Sequence, residues 1–283
     1  VKRHRSFLAP EARLFLVATP IGNLQELSPR AAETLRQVDY VACEDTRVSG
    51  KLLKYLMIEK PLIACHEHNE AGASELILDL LKQNFKVAYV SDAGYPAISD
   101  PGSRLVAKAL DQDVKVTVIS GPSAILNALV GSGLPSDHFY FHGFLPSKAN
   151  ARKNELTALY KRPETLVFYE APHRIKVMLQ ALRDVLGNRP ACLARELTKK
   201  FEEYIYGTLG ELAELDLETL KGEMVVVVGG NRDELATNVG DDEILNFINS
   251  QTKVGISTKD AIKQASQVLG INKNYIYKLM HRN

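Results

Sequence analysis

From Leu14 onward the chain alternates short apolar runs with stretches whose apolar residues recur every three or four positions. "LFLVA" (14–18), "VDYVAC" (38–43), "PLIAC" (61–65), "KVAYV" (86–90) and "KVTVIS" (115–120) read as strands. Between them lie helical patterns. One starts near Ser28 with Pro29 in its first turn, one runs through "KLLKYL" and one through "SELILDLLKQ". Another is opened by Pro101 and passes Ala107 and Leu110, and the last is "GPSAILNALV" after the fifth strand. Strands that alternate with helices predict a parallel α/β sheet.

A second segment begins around "HFYFHGFLP" and closes on "GEMVVVVGG". Its strands outnumber its helices, and some alternate polar with apolar residues, which predicts a mixed sheet. After Gly230, "NRDELATNVGDDE" reads as a polar linker. Three short helical patterns follow, the middle one capped by Ser257 or Thr258. The predicted organisation is an N-terminal α/β domain over 14–135, a second α/β domain over 136–230 and a small helical extension over 241–283. A cleft between the first two is the natural place for a ligand.

Composition narrows the field. Of 283 residues, 45% are hydrophobic and 24% charged, as expected for packed globular domains. The net charge is only +1, so a nucleic-acid partner needs a local basic patch. Such a patch lies in the tail. Residues 253–283 hold Lys253, Lys259, Lys263, Lys273, Lys278 and Arg282 against Asp260 alone, a net +5. Gly270 and Asn272 between two short helices resemble a helix-turn-helix corner. The tail reads either as an RNA-backbone module or as a solvated helical cap. Cys43, Cys65 and Cys192 lack metal-ligand spacing and read as buried thiols in a reducing cytoplasm. No apolar run approaches membrane-span length. The opening "VKRHRSF" lacks the apolar core of a signal peptide and reads as a disordered end.

The unusual residues gather at strand ends. The first end carries Thr19, Pro20, Gly22 and Asn23. The second carries Glu44, Asp45, Thr46 and Arg47, and the third His66, His68, Asn69 and Glu70. The fourth is "YVSDAGYPAISDPG" (89–102) and the fifth runs from Ser120 to Ala124. Each alone is a plausible turn. Five in succession, on one edge of a parallel sheet, predict a site. "TPIGN" is no dinucleotide fingerprint, no phosphate-binding Walker sequence appears, and "ISGPSA" lacks the nucleophile-elbow spacing. "HEHNE" looks metal-like, but no third ligand is fixed by spacing, and no metal is expected.

The motifs carry a resemblance. "LVATPIGNL" (16–24), "ACEDTR" (42–47), "HEHNE" (66–70), "VSDAGYPAISDPG" (90–102), "GFLPSK" (143–148), "FYEAPHR" (168–174) and "ARELTKKFEE" (194–203) resemble bacterial 16S ribosomal RNA ribose-2′-O-methyltransferases. These belong to the tetrapyrrole methylase superfamily. The resemblance covers 14 to about 230 and weakens through the tail. It implies a two-domain α/β fold, S-adenosylmethionine as cofactor, a homodimer, and cytoplasmic action on a cytidine in the decoding region of 16S rRNA within the small ribosomal subunit. Methylation of a tetrapyrrole or a protein side chain, and a non-enzymatic RNA-binding adaptor, are the alternatives. The resemblance implies cofactor contacts from Ser91, Asp92, Ala93, Gly94 and Pro96, and from Gly121, Ser123 and Ala124. By residue type, Glu170, His173, Glu196 and Lys199 are unranked catalytic candidates. Arg47, Lys148, Arg174, Lys273 and Lys278 are candidates for RNA phosphates. One position departs from the family: where it usually reads "SDAGTP", this chain has Tyr95. An altered loop wall is expected there.

Overall fold

A computed structural model describes residue 3 and residues 14–216, 220–231, 240–269, 271 and 273–280. The predicted corner at Gly270 and Asn272, Arg282, most of the basic opening and residues 232–239 of the linker lie outside the described residues. The chain divides into two compact units.

The first unit comprises residues 14–131 with Ala194–Tyr204 and Lys221–Val225. It is built on strands β1 (Leu14–Val17), β2 (Tyr40–Cys43), β3 (Leu62–Ala64), β4 (Val87–Val90) and β5 (Val116–Ile119), in the order β3-β2-β4-β1-β5. Every neighbouring pair is parallel, so all five strands end on the same edge. Between them run α1 (Pro29–Gln37), α2 (Thr46–Tyr55), α3 (Glu70–Lys82) and α4 (Ser103–Asp111), with α5 (Ala124–Gly131) after β5.

The strand order dictates which face each helix covers. From β1 through β2 to β3 the chain moves toward one sheet edge, and from β3 through β4 to β5 it returns. Right-handed crossovers then send the outward and returning helices to opposite faces. The packing follows. Ala31, Leu35 and Leu53 of α1 and α2 bury against Val17, Val41, Cys43, Ala88 and Val90. Ile77, Leu78, Leu81, Leu105 and Ala109 of α3 and α4 bury against Leu14, Leu16, Val87 and Tyr89. Adjacent strand residues thus serve the two faces in turn, and each fully buried Leu or Ile contributes about 1.5–3 kcal/mol. The three cysteines are buried and unbridged.

One helix starts later than its sequence suggests. Pro101 does not open α4; the helix begins at Ser103. Gly102 stands before it with φ 126°, a conformation that excludes a helical start at the proline. The α-carbon of Gly102 lies against the Tyr89 ring, where an added β-carbon would come within 2.5 Å.

The second unit comprises Ser132–Leu193, Ile205–Leu220 and the described residues from Val226 on. Strands β6 (Phe139–Phe144), β7 (Thr165–Glu170), β8 (Pro190–Arg195), β9 (Glu203–Thr208) and β10 (Met224–Val228) form a sheet in the order β6-β7-β10-β8-β9. β6 and β7 are parallel. Helices α6 (Ala149–Leu159), α7 (Ile175–Leu186) and α8 (Leu209–Glu214) accompany it, α8 entering through a capping box made by Thr208 and Glu211. At the end of the chain come α9 (Asp241–Lys253), α10 (Thr258–Val268) and α11 (Lys273–Met280). They share a core of their own, with Ile244, Ile248, Ile262, Ile271 and Ile276 buried. The cap of α10 is Ser257, whose hydroxyl accepts the Asp260 N–H. Among the described residues, no helix is long and apolar enough to cross a membrane.

Candidate active site at the strand ends

β4 lies between β2 and β1, yet its helix leaves to the opposite face from theirs. Where neighbouring connections part in this way, a crevice opens beyond the strand ends. The loop after β4, residues 91–102, occupies that place, and hydrogen bonds tie it to the ends of the other four strands.

Toward β1, Thr19 and Gly94 exchange backbone hydrogen bonds (Thr19 N–H to Gly94 O, 2.9 Å; Gly94 N–H to Thr19 O, 3.1 Å). The Thr19 hydroxyl donates to Ser91 O, and the Ser91 hydroxyl reaches the carbonyls of Ala93 and Gly94. Toward β2, the Asp45 N–H donates to the Asp92 carboxylate at 3.2 Å. Toward β3, the Gly102 N–H donates to Glu70 at 3.0 Å, and the Tyr89 hydroxyl to Cys65 O at 3.3 Å. Toward β5, the Gly121 N–H donates to the Tyr95 hydroxyl at 3.2 Å. Gly121 also lies so close to β1 that a β-carbon there would be 2.9 Å from the Ala18 methyl. Within the β4 loop, Ala97 and Ser99 hold positive φ (68° and 61°), sparsely populated conformations for residues with side chains.

The expected cofactor residues therefore fall together on one edge. Ser91, Gly94 and Pro96 are buried, Asp92 and Ala93 exposed, and Gly121, Ser123 and Ala124 half-buried at the entry to α5. Carboxylates crowd beside them. Burial, reinforced by Glu44 and Asp92, pushes Asp100 up to about 6. Desolvation and then Asp92 raise Glu44, and desolvation raises Asp92 against the opposing pull of the Asp45 N–H. Asp45 goes the other way, down to about 2, because Arg47 binds its carboxylate at 2.6 Å. Arg47 is thus ion-paired, with its side chain still 86% exposed.

"HEHNE" proves to be a turn at the start of α3. Asn69 accepts the His66 N–H and donates to Ala64 O. Among the described residues, no three His, Cys, Asp or Glu side chains form a metal-holding group.

The catalytic candidates belong to both units. Glu196 and Lys199 lie with the first, in the loop from β8 to β9. The Lys199 amine bonds Glu196 at 2.9 Å and Glu223 at 3.2 Å. Burial of that amine is outweighed by these bonds, which hold its pKa above the ordinary lysine value. The loop is bent at Glu196 and Thr198, both at positive φ (49° and 68°), and Glu202 accepts the Thr198 N–H. The Lys199 stem lies over Gly22, and Glu196 over Gly222, in each case where a glycine substituent would have to go. Neither glycine contact was foreseen; the motifs "TPIGN" and "GEMV" are the signal that marks both.

Glu170 and His173 lie with the second unit. Glu170 is buried. It accepts the Ala171 N–H, pairs with Arg174 at 3.3 Å, and leaves Oε2 without a partner. Arg174 in turn donates to Leu145 O at 2.7 Å, which pins "GFLPSK" to "FYEAPHR". His173 is exposed on a short 3-10 turn. Lys148 is exposed at the start of α6, and Lys273 and Lys278 are exposed on α11.

Comparison with known proteins identifies the family. The profile of the Tetrapyrrole (Corrin/Porphyrin) Methylases matches residues 13–213. The chain is 44% identical over 274 residues to ribosomal RNA small subunit methyltransferase I of Micromonospora olivasterospora, covering 95% of this chain and 87% of that one. It is 40% identical over 277 residues to the protein of that name from Bacillus subtilis, covering 95% and 94%. Among solved structures, uroporphyrin-III-C-methyltransferase from Thermus thermophilus superposes with a TM-score of 0.56 at 19% identity, over 77% of this chain and 94% of that one. This last likeness is one of fold.

Proposed function

The chain belongs to the tetrapyrrole (corrin/porphyrin) methylases, and on that footing we propose that it transfers a methyl group from S-adenosylmethionine to the ribose 2′-oxygen of a cytidine in the decoding region of 16S rRNA. The observation that carries the substrate is the relationship, over nearly the whole length, to small-subunit ribosomal RNA methyltransferases. The protein works in the cytoplasm, as a homodimer, on the small subunit or its precursor.

The residues present suit the cofactor. Burial raises the carboxylates of Glu44, Asp92 and Asp100, and neighbouring carboxylates add to the rise; such a group favours a cation beside it, and the cofactor is a sulfonium. Asp92 faces it from the β4 loop, with the backbone of Ser91 to Gly94, Pro96, Gly121, Ser123 and Ala124 around it. When bound, the cofactor supplies an activated methyl group. The chain must hold the 2′-oxygen in line with that methyl and accept its proton.

The four candidates divide by environment. Lys199, protonated at neutral pH, serves as a cation that steadies charge developing near the 2′-oxygen. Glu170, buried and committed to Arg174, positions the "GFLPSK" loop. Proton acceptance falls to His173 or Glu196. Lys148, Lys273, Lys278 and Arg47 contact RNA phosphates, while Arg174 is occupied by Glu170 and Leu145.

The test supplies labelled S-adenosylmethionine in parallel to undermodified small subunits, naked 16S rRNA and a tetrapyrrole precursor. Label is expected in RNA and is recovered as 2′-O-methylcytidine after digestion. Label in a base, or only in the tetrapyrrole, overturns the assignment.

A further inference from the structure

We propose that Tyr95 is a positioning residue for the cofactor-binding edge. Its hydroxyl holds the Gly121 amide, and with it the entry to α5, in the binding geometry before a ligand arrives. The inference rests on the methyltransferase reading and deepens it.

Tyr95 follows Gly94, which Thr19 fixes by two backbone hydrogen bonds. Because β1 lies between β4 and β5, the bond from Tyr95 to Gly121 spans the end of β1. Gly121 is thereby held twice. Ala18 packs against its α-carbon, at a distance that admits no β-carbon, and the Tyr95 hydroxyl takes its N–H. The two contacts act on different atoms, so together they restrict both the position and the rotation of that peptide. The tyrosine hydroxyl, carried beyond a ring, thus joins the loop after β4 to the loop after β5. Ordering a loop in advance lowers the entropic cost of binding, so the bond acts on affinity through Gly121 without touching the reacting atoms.

The test replaces one oxygen: Tyr95→Phe keeps the ring and removes the acceptor. Amide hydrogen exchange is measured at Gly121 in the ligand-free protein, and S-adenosylmethionine binding is measured by calorimetry. The expected result is faster exchange at Gly121, unchanged exchange in the strands, and cofactor affinity weaker by about fivefold. The loss appears in KM for the cofactor and not in kcat. Unchanged exchange at Gly121 overturns the latch. Faster exchange with unchanged affinity overturns its link to the cofactor. A wild-type protein that binds no S-adenosylmethionine overturns the methyltransferase reading, and the exchange measurement, which needs no ligand, tells that outcome from failure of the latch.

Discussion

The stem of Lys199 occupies the space that a side chain on Gly22 would need. The contact joins the loop after β1 to the loop between β8 and β9, and it sets where the Lys199 amine meets Glu196 and Glu223. Gly22→Ala must push Lys199 aside. Methyl transfer is expected to fall by about tenfold or more, since displacing a positioned group is costly for rate. Some loss of melting temperature is expected beside it, because the overlap falls on the Lys199 stem and not only on its flexible end. Kinetics beside thermal denaturation check this, and an unchanged rate removes Lys199 from the reaction.

Gly222 makes the same demand on Glu196, with the added constraint of φ 90°. Gly222→Ala combines overlap with an unfavourable backbone. It is expected to cost about 1–3 kcal/mol of stability, read from denaturant titration. A neutral outcome shows that Glu196 moves away freely and is not held as described.

Asp100 makes the ligand-free protein sensitive to pH. Its folded value of about 6 lies above the unfolded value of about 3.9, so the folded state binds the proton more tightly. Its stabilising contribution is present below pH about 4 and lost as pH rises through about 6. Asp100→Asn should therefore leave stability near pH 4 unchanged and raise it by about 1–2 kcal/mol at pH 8, after allowing for solvent screening. Melting curves at the two pH values test this; equal shifts at both exclude the titration of Asp100 as the cause.

Lys273 and Lys278 stand exposed on α11. Reversing both to Glu should weaken RNA binding at low salt and flatten the slope of log affinity against log salt by about 1 to 2, with cofactor binding unaltered. An unchanged slope assigns this surface to solvent.

Much of the first unit was legible because its signals are local. Apolar runs of strand length alternate with helical periods, and polar clusters close each run. The parallel edge that gathers Thr19, Asp45, Asp92 and Gly121 follows from that alternation. What was hidden depends on order in space. The bond from Tyr95 to Gly121 requires β1 to separate β4 from β5, which no spacing along the chain reveals. Pro101 carries a helix-start signal, yet Gly102 overrides it because the Tyr89 ring needs the room. Glu170 was one of four unranked catalytic candidates by residue type. Its pairing with Arg174 is local, four residues on, but its burial depends on the packing of the second unit.

The loop after β4 is tied to the ends of the other four strands of its sheet. This is a hub-and-spoke network, and such networks fail unevenly. Severing a spoke from outside the hub, as at Glu70, leaves the remaining links to carry the edge. A change within the hub that re-routes its backbone releases several spokes together. Random substitution should therefore be tolerated along the outer surfaces of α1 to α4 and punished between Ser91 and Gly102, a contrast that a saturation-mutagenesis map would draw directly onto the sheet.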